Sequence, residues 1–173
     1  MRRIHNSCYI DDCVILPHDI TIGPNCTIGW VGMQLSRGEN MVPHNTPHTG
    51  GVKIGERVHI QPNTVIVRGL SENDYTTLGN DCLLGNLVNI GHNSISGNRN
   101  LFASGMIVGG SVVIGDDNFF GLGVIIKPEV TIGSRNMFGT GTVITDDIGD
   151  DGIYVGVPAR RINDNMFFKG VIK

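Results

Sequence analysis

Aromatic residues are scarce in this chain, at 6% of 173 residues, so bulky rings cannot dominate its core. Basic runs stop at the pairs Arg2–Arg3 and Arg160–Arg161, and the net charge is −3. That balance leaves no basic face for nucleic acid. The N-terminus lacks the apolar stretch of a signal peptide, and no apolar run reaches membrane-spanning length, so no membrane insertion is expected. Cys8, Cys13, Cys26 and Cys82 form no CxxC pair. Without a secretory signal, these thiols are expected to stay reduced in a cytoplasmic protein. The 25 glycines show no collagen-like period of three, so they call for another backbone explanation.

That explanation is a period of six. From Leu78, steps of six reach Leu84, Ile90, Ser96, Phe102, Val108, Ile114, Phe120, Ile126, Ile132, Phe138 and Ile144. Only Ser96 breaks the apolar series, and glycine follows most of these positions. Stepping back from Leu78, the phase holds at Ile66, Ile60 and Ile54. A second run, Ile4, Ile10, Leu16, Ile22 and Ile28, keeps the period but is offset by two. Neither an α-helix nor an ordinary strand has this period.

A three-faced solenoid does. Three short strands joined by tight turns make one coil of three hexapeptides, with each sixth residue pointing inward and glycine serving the turn. The expected fold is all-β, a left-handed parallel β-helix of hexapeptide repeats forming a single domain over 1–173. The spacing predicts that Phe102, Phe120 and Phe138 stack in one interior column after Leu84. It also puts Cys8 and Cys26 in adjacent coils, as small buried thiols rather than a redox pair. Residues 30–51 lack the period and are expected to leave the solenoid as a loop. Residues 67–76 are a smaller excursion that preserves phase. The repeat ends after Ile144, so 146–173 should cap the open end as a brief helix or an irregular segment. Long excursions from a rigid scaffold are where function tends to lie.

His92 is the most suggestively placed histidine. It follows the inward Ile90 by two positions, within NIGHNSISG, so its imidazole should emerge at a corner of the prism. There it can take a proton near neutral pH. One coil later the same column holds Gly110, which leaves room for a carbonyl and presents a backbone N–H, the parts of an oxyanion hole. A solvated surface histidine is the plainer alternative.

The run NLVNIGHNSISGNRNLFASGMIVGGSVVIGDDNFFGLGVII resembles the core of bacterial hexapeptide acyltransferases. VRGLSENDYTTLGNDCLLGNLVNIGHN resembles UDP-3-O-acylglucosamine N-acyltransferase, and the ending IYVGVPARRI resembles acetyl-CoA-dependent sugar N- and O-acetyltransferases. The resemblance covers about residues 50–162. It implies a homotrimer with sites between neighbouring prisms, His92 as general base and the Gly110 amide facing the thioester carbonyl. It further implies acetyl-CoA or another acyl-CoA as co-substrate, running past Leu122 and Thr140. The terminal loop through Pro158 would meet its nucleotide end, with Lys127, Arg160 and Arg161 at its phosphates. The acceptor would be a nucleotide-linked amino sugar, with Arg37, His44 and His48 of the 30–51 loop on its wall.

There are departures from the family pattern. The lipid A enzyme has an N-terminal uridine-binding domain, whereas here the solenoid begins by Ile4. Where that enzyme carries an acidic residue shortly before its histidine, this chain reads Gly85–Asn86. Asn86 is a candidate substrate contact, although it belongs to the hexapeptide before His92. No long helical extension of the kind that binds an acyl carrier protein is apparent. These differences favour a short acyl group from coenzyme A over a long one from a carrier protein, with sugar O-acetylation a further alternative. Two rival readings remain, a zinc-dependent γ-class carbonic anhydrase and a non-enzymatic trimeric scaffold. The first needs three metal-ligating histidines. Position 97 is Gly where its second ligand would stand. His59 and His92 are not a whole number of coils apart and so fall out of column; no metal is expected.

Overall fold

A computed structural model of the protein describes residues 1–33, 35–37 and 43–165. Among them there is no α-helix; nearly every strand is two to four residues long. Strands this short bury nothing alone. They are stable because each pairs with its counterpart in the coils above and below. On the first face the order runs Arg2–Ile4, Ile20–Ile22, Val58–Ile60, Leu83–Leu84, Leu101–Phe102, Phe119–Phe120, Met137–Phe138 and Gly152–Val155, all parallel. The second face carries Asn89–Ile90 between Val65–Ile66 and Ile107–Val108, and the third carries Ile95–Ser96 between Tyr75–Leu78 and Val113–Ile114.

The register follows the repeat. Leu84 pairs with Phe102, and Phe102 with Phe120, at steps of three hexapeptides. Ile22 pairs with Ile60, which is two positions beyond two full coils, because the 30–51 excursion inserts between them. The spacing of the paired residues thus exceeds a whole number of hexapeptides by two, which accounts for the offset of the N-terminal run. Ile54 pairs with Leu78, four hexapeptides on, so the 67–76 excursion adds one hexapeptide's length and preserves phase.

The inward positions are buried, from Ile20 to Ile144. The phenylalanine column forms as expected, with ring centroids 5.4 Å apart for Phe102–Phe120 and 4.9 Å for Phe120–Phe138. Tyr154 extends it, 5.4 Å above Phe138. The spacing did not point to Tyr154, since the last coil is two positions shorter than the others. Cys8 and Cys26 do lie in adjacent coils, with the Tyr9 amide bonded to the Cys26 carbonyl at 2.9 Å. Both thiols are free, Cys26 being buried and Cys8 half-buried near the open end.

A second interior column was not foreseen. Asn100, Asn118 and Asn136 are buried two positions before the phenylalanines, where an apolar residue would be the simpler choice. Each Oδ1 accepts the backbone N–H one coil up, from Asn118 at 2.8 Å, Asn136 at 2.9 Å and Gly152 at 2.8 Å. Those amides sit at turns and would otherwise be buried without partners. Between the third and first faces an outer column does the same work. The Asn80, Asn98, Asp116, Ser134 and Asp150 side chains accept the amides of Glu56, Asn80, Asn98, Asp116 and Ser134.

The C-terminal cap is neither a helix nor irregular in its described part. Gly152–Val155 turns back through the 156–159 loop into the antiparallel strand Arg160–Asp164. Tyr154 seated on Phe138 holds the first strand of this hairpin to the last coil.

The two columns can be probed separately. Phe120→Ala opens a cavity in the middle of the ring column and should cost about 3–5 kcal/mol in denaturant unfolding. The Asp116 carboxyl is held below its ordinary 3.8, chiefly by the hydrogen bond from the Asn98 amide. A depressed carboxylate contributes stability that is whole above the ordinary value and lost as pH falls through the folded one. Thermal melts should therefore fall in acid below that value, and Asp116→Asn, which keeps an acceptor oxygen, should lessen the fall.

Candidate active site

The corner between the second and third faces differs from the corner just described. Its column reads Trp30, Arg68, His92, Gly110 and Pro128, each two positions after an inward residue. Gly110 has no side chain and Pro128 has no acceptor, so neither closes the amide one coil below. Among the described residues the Gly110 N–H accordingly makes no hydrogen bond. The equivalent amides of Asn80, Asn98 and Asp116 are all taken.

His92 packs directly on Gly110. A Cβ at position 110 would fall 2.5 Å from both Cε1 and Nε2 of the imidazole. Gly110 does not occupy the left-handed backbone region, so it is required here for close approach and not for conformation. An open cavity of about 590 Å³ lies over this pair. Trp30, Val31, Met33 and Asn45 from the excursion form one side, and Asn89 and Pro128 flank His92 and Gly110 on the other. Trp30 stands edge-on to Tyr9 at 5.1 Å, which props the exposed indole at the rim. Of these wall residues only the excursion as a whole was anticipated. Trp30 and Pro128 were legible all the same, since they share the column of His92.

His48 lies against His92, with ring centroids 5.6 Å apart and planes at 63°. It is buried and does not line the cavity, so the structure does not bear out its expected place on the acceptor wall. Its Nδ1 is 3.0 Å from the Thr46 carbonyl. Burial, and next the neighbouring His92, hold the His48 imidazole below its ordinary 6.5. Arg68 pins the segment that carries it. Its Nε donates to the Gly50 carbonyl at 2.8 Å, and its Nη1 is 3.5 Å from Asp11 Oδ1.

The remaining candidates are distributed elsewhere. Asn86 is not brought to His92. It lies on the corner between the first and second faces, where its N–H donates to Ser104 Oγ at 3.1 Å. The single hexapeptide step from 86 to 92 moves one face around the prism, so no repeat of this kind can place both on one corner. Leu122 and Thr140 occupy that other corner too, in an apolar hollow of about 380 Å³ shared with Phe119, Met137 and Val155. Lys127 is exposed beside Pro128, at the His92 corner. Pro158 and Arg160 are exposed at the turn of the terminal hairpin. Arg161 is engaged with Asp164 at 2.9 Å and lies over the Tyr154 ring. The backbones of Arg37 and His44 belong to a small antiparallel hairpin, Leu35–Arg37 with Pro43–Asn45, and their side chains lie outside the described residues. His59 sits on the first face opposite Leu83, away from His92. Among the described residues no helix is long and apolar enough to cross a membrane.

No family model matches the chain. UDP-3-O-acylglucosamine N-acyltransferase from Shewanella denitrificans is 37% identical over 95 residues, covering 52% of this chain and 27% of that protein. The Rickettsia canadensis protein of the same name is 41% identical over 78 residues, covering 45% of this chain and 22% of that one. Over the matched segments the chain is thus similar to proteins named as N-acyltransferases. The chain spans about a quarter of their length. Among solved structures, a UDP-N-acetylglucosamine acyltransferase from Bacteroides fragilis superposes with a TM-score of 0.85 at 22% identity, covering 96% of this chain and 64% of that one. Perosamine N-acetyltransferase from Caulobacter crescentus, solved with CoA and GDP-perosamine, gives 0.61 at 20% identity, over 93% of this chain and 56% of that one. At these identities the neighbours establish the fold, a left-handed parallel β-helix.

The Gly110 contact is directly testable. Gly110→Ala should leave the melting temperature near that of the native protein and displace the imidazole. A misplacement of about 1 Å costs roughly a hundredfold in rate, and this is the loss expected of any activity that runs through His92.

Proposed function

We propose that this chain is an acyltransferase that moves a short acyl group, acetyl in the first instance, from coenzyme A to an amino group of a nucleotide-linked sugar. The observation that carries the reading is the imidazole of His92 packed on Gly110, beside an amide left unbonded because Pro128 stands one coil above. A base and a vacant N–H donor side by side are what attack on a thioester carbonyl requires. His92 Nε2 takes the proton from the acceptor amine as its nitrogen attacks that carbonyl. The Gly110 amide holds the oxygen as negative charge develops on it. The bond to sulfur then breaks and the thiolate leaves. No covalent enzyme intermediate is needed, because a thioester is already activated.

The reading includes a homotrimer acting in the cytoplasm. In one chain the His92 corner and the Leu122–Thr140 hollow lie on different corners. Three-fold association would set one chain's His92 corner against the neighbour's hollow, and exposed apolar side chains on the two adjoining faces favour it. Leu83, Phe119 and Met137 are such residues on the first face, and Ile107 and Ile125 on the second. The hollow is apolar enough for the pantetheine arm, and Lys127, Pro158 and Arg160 would meet the nucleotide end. The alternative is transfer of a longer acyl group from a carrier protein, as in the lipid A enzyme that the sequence resembles, or transfer to a hydroxyl.

The test is thiol release from acetyl-CoA, longer acyl-CoAs and acyl-carrier thioesters, against UDP-, dTDP- and GDP-linked amino sugars. His92→Ala should lower the rate by about 10²–10⁴-fold, the usual contribution of a general base. Absence of acceptor-dependent thiol release with every donor would overturn the reading.

A further inference from the structure

Two buried nitrogens at the site have no hydrogen-bond partner, His48 Nε2 and His92 Nδ1. They belong to rings in edge contact. The chemistry of each ring says what its orphan is. His48 Nδ1 faces the Thr46 carbonyl at 3.0 Å, and a carbonyl only accepts, so the proton of the neutral ring is on Nδ1. His48 Nε2 is then a lone pair, buried without a donor. His92 presents Nε2 to Gly110 and the cavity. A base working from Nε2 must be free of a proton there, so its neutral ring carries the proton on Nδ1. That proton is buried without an acceptor. The two unmet needs are complementary.

We infer that His48 is a positioning residue. It accepts the Nδ1–H of His92 and so holds the catalytic imidazole in the tautomer whose Nε2 is free to act as base. The inference rests on the transferase reading for the role of His92 as a base at Nε2, whereas the lone pair on His48 Nε2 follows from the Thr46 contact alone. Neither nitrogen is bonded in this structure, and with the ring centroids 5.6 Å apart the pairing requires the two rings to turn toward each other in the free protein. The scaffold is built to keep His48 in place. Arg68 bonds the Gly50 carbonyl at 2.8 Å, Thr49 and Gly50 pair with Leu70 and Gly69, and Asn45 Nδ2 donates to Gly32 O at 2.9 Å. Gly32 lets the excursion close over the ring, since a Cβ there would stand 3.3 Å from His48 Nε2 and collide with Val67. Among the described residues the charged and titratable groups acting on His48 are His92 and Arg68, and both disfavour a second proton on its ring. The His48 ring thus stays an acceptor while His92 cycles. This also answers what orients His92 in a chain that has Gly85–Asn86 where its relatives were expected to carry an acid.

The pairing is read without any substrate from the imidazole ¹⁵N shifts of histidine-labelled protein, with the His92 signals assigned by their loss in His92→Gln. In the native protein the His92 proton should sit on Nδ1. In His48→Leu, which fills the space without an acceptor, it should move largely to Nε2, the tautomer that free histidine prefers. In the thiol-release assay His48→Leu should lower kcat roughly ten- to a hundredfold, a part of what the base itself supplies, with KM unchanged. His48→Gln, whose amide oxygen can accept, should recover most of that loss. A native His92 proton on Nε2 would overturn the pairing, as would a folded His48→Leu with undiminished kcat or with its His92 proton still on Nδ1. Should His48→Leu fail to fold, the native tautomer and the His48→Gln rate decide the matter. A correct tautomer in a protein without acyl transfer would mean that the pairing holds and the transferase reading fails.

Discussion

Strands of two or three residues cannot hold themselves together, so everything in this molecule depends on parallel pairing in register between successive coils. Once Leu84 is bonded beside Phe102, and Phe102 beside Phe120, every position three hexapeptides apart is forced into the same column. Like side chains then meet like, and each column must satisfy itself. The phenylalanines do so by stacking, and the asparagines by accepting the turn N–H of the next coil at Oδ1, with Asn136 Nδ2 alone left without a partner among the three. The buried asparagines are not tolerated polar groups. They remove the cost of turn amides that would otherwise lie inside without partners.

The same rule explains why one corner can carry a site. At the corner between the third and first faces an acceptor side chain recurs in each coil, and each amide is closed. At the His92 corner the column offers Gly110 and then Pro128, and the pattern of closure stops. An unbonded N–H and a half-buried imidazole are left facing a cavity, held by a scaffold with little freedom to move them. Preorganisation of this kind is where most of the benefit of an oxyanion donor arises, because no dipole has to be turned as charge develops.

Much of this was legible in the sequence. The period of six pointed to the fold, the phenylalanine column, and His92 with Gly110 in one column. It failed where the repeat changes length or where two positions share an inward direction. Tyr154 was missed because the last coil is cut short by two positions, and the asparagine column because polar residues two before an apolar one do not register as core. Asn86 was a candidate substrate contact one hexapeptide before His92; one hexapeptide is one face, and the turn of the prism carries it to the neighbouring corner, as that spacing allowed.

By itself the sequence determined the coil, its register and which residues share a column, because a strict period acts through local backbone geometry repeated in every turn. Only the tertiary structure decided which corner stays open, that Trp30 walls it, and that His48 passes behind His92 instead of facing the cavity. The excursion that supplies Trp30 and His48 has no period. Its course is set by Arg68, Asp11, Gly32 and Val67, residues brought together across coils by bonds and close contacts that no spacing encodes.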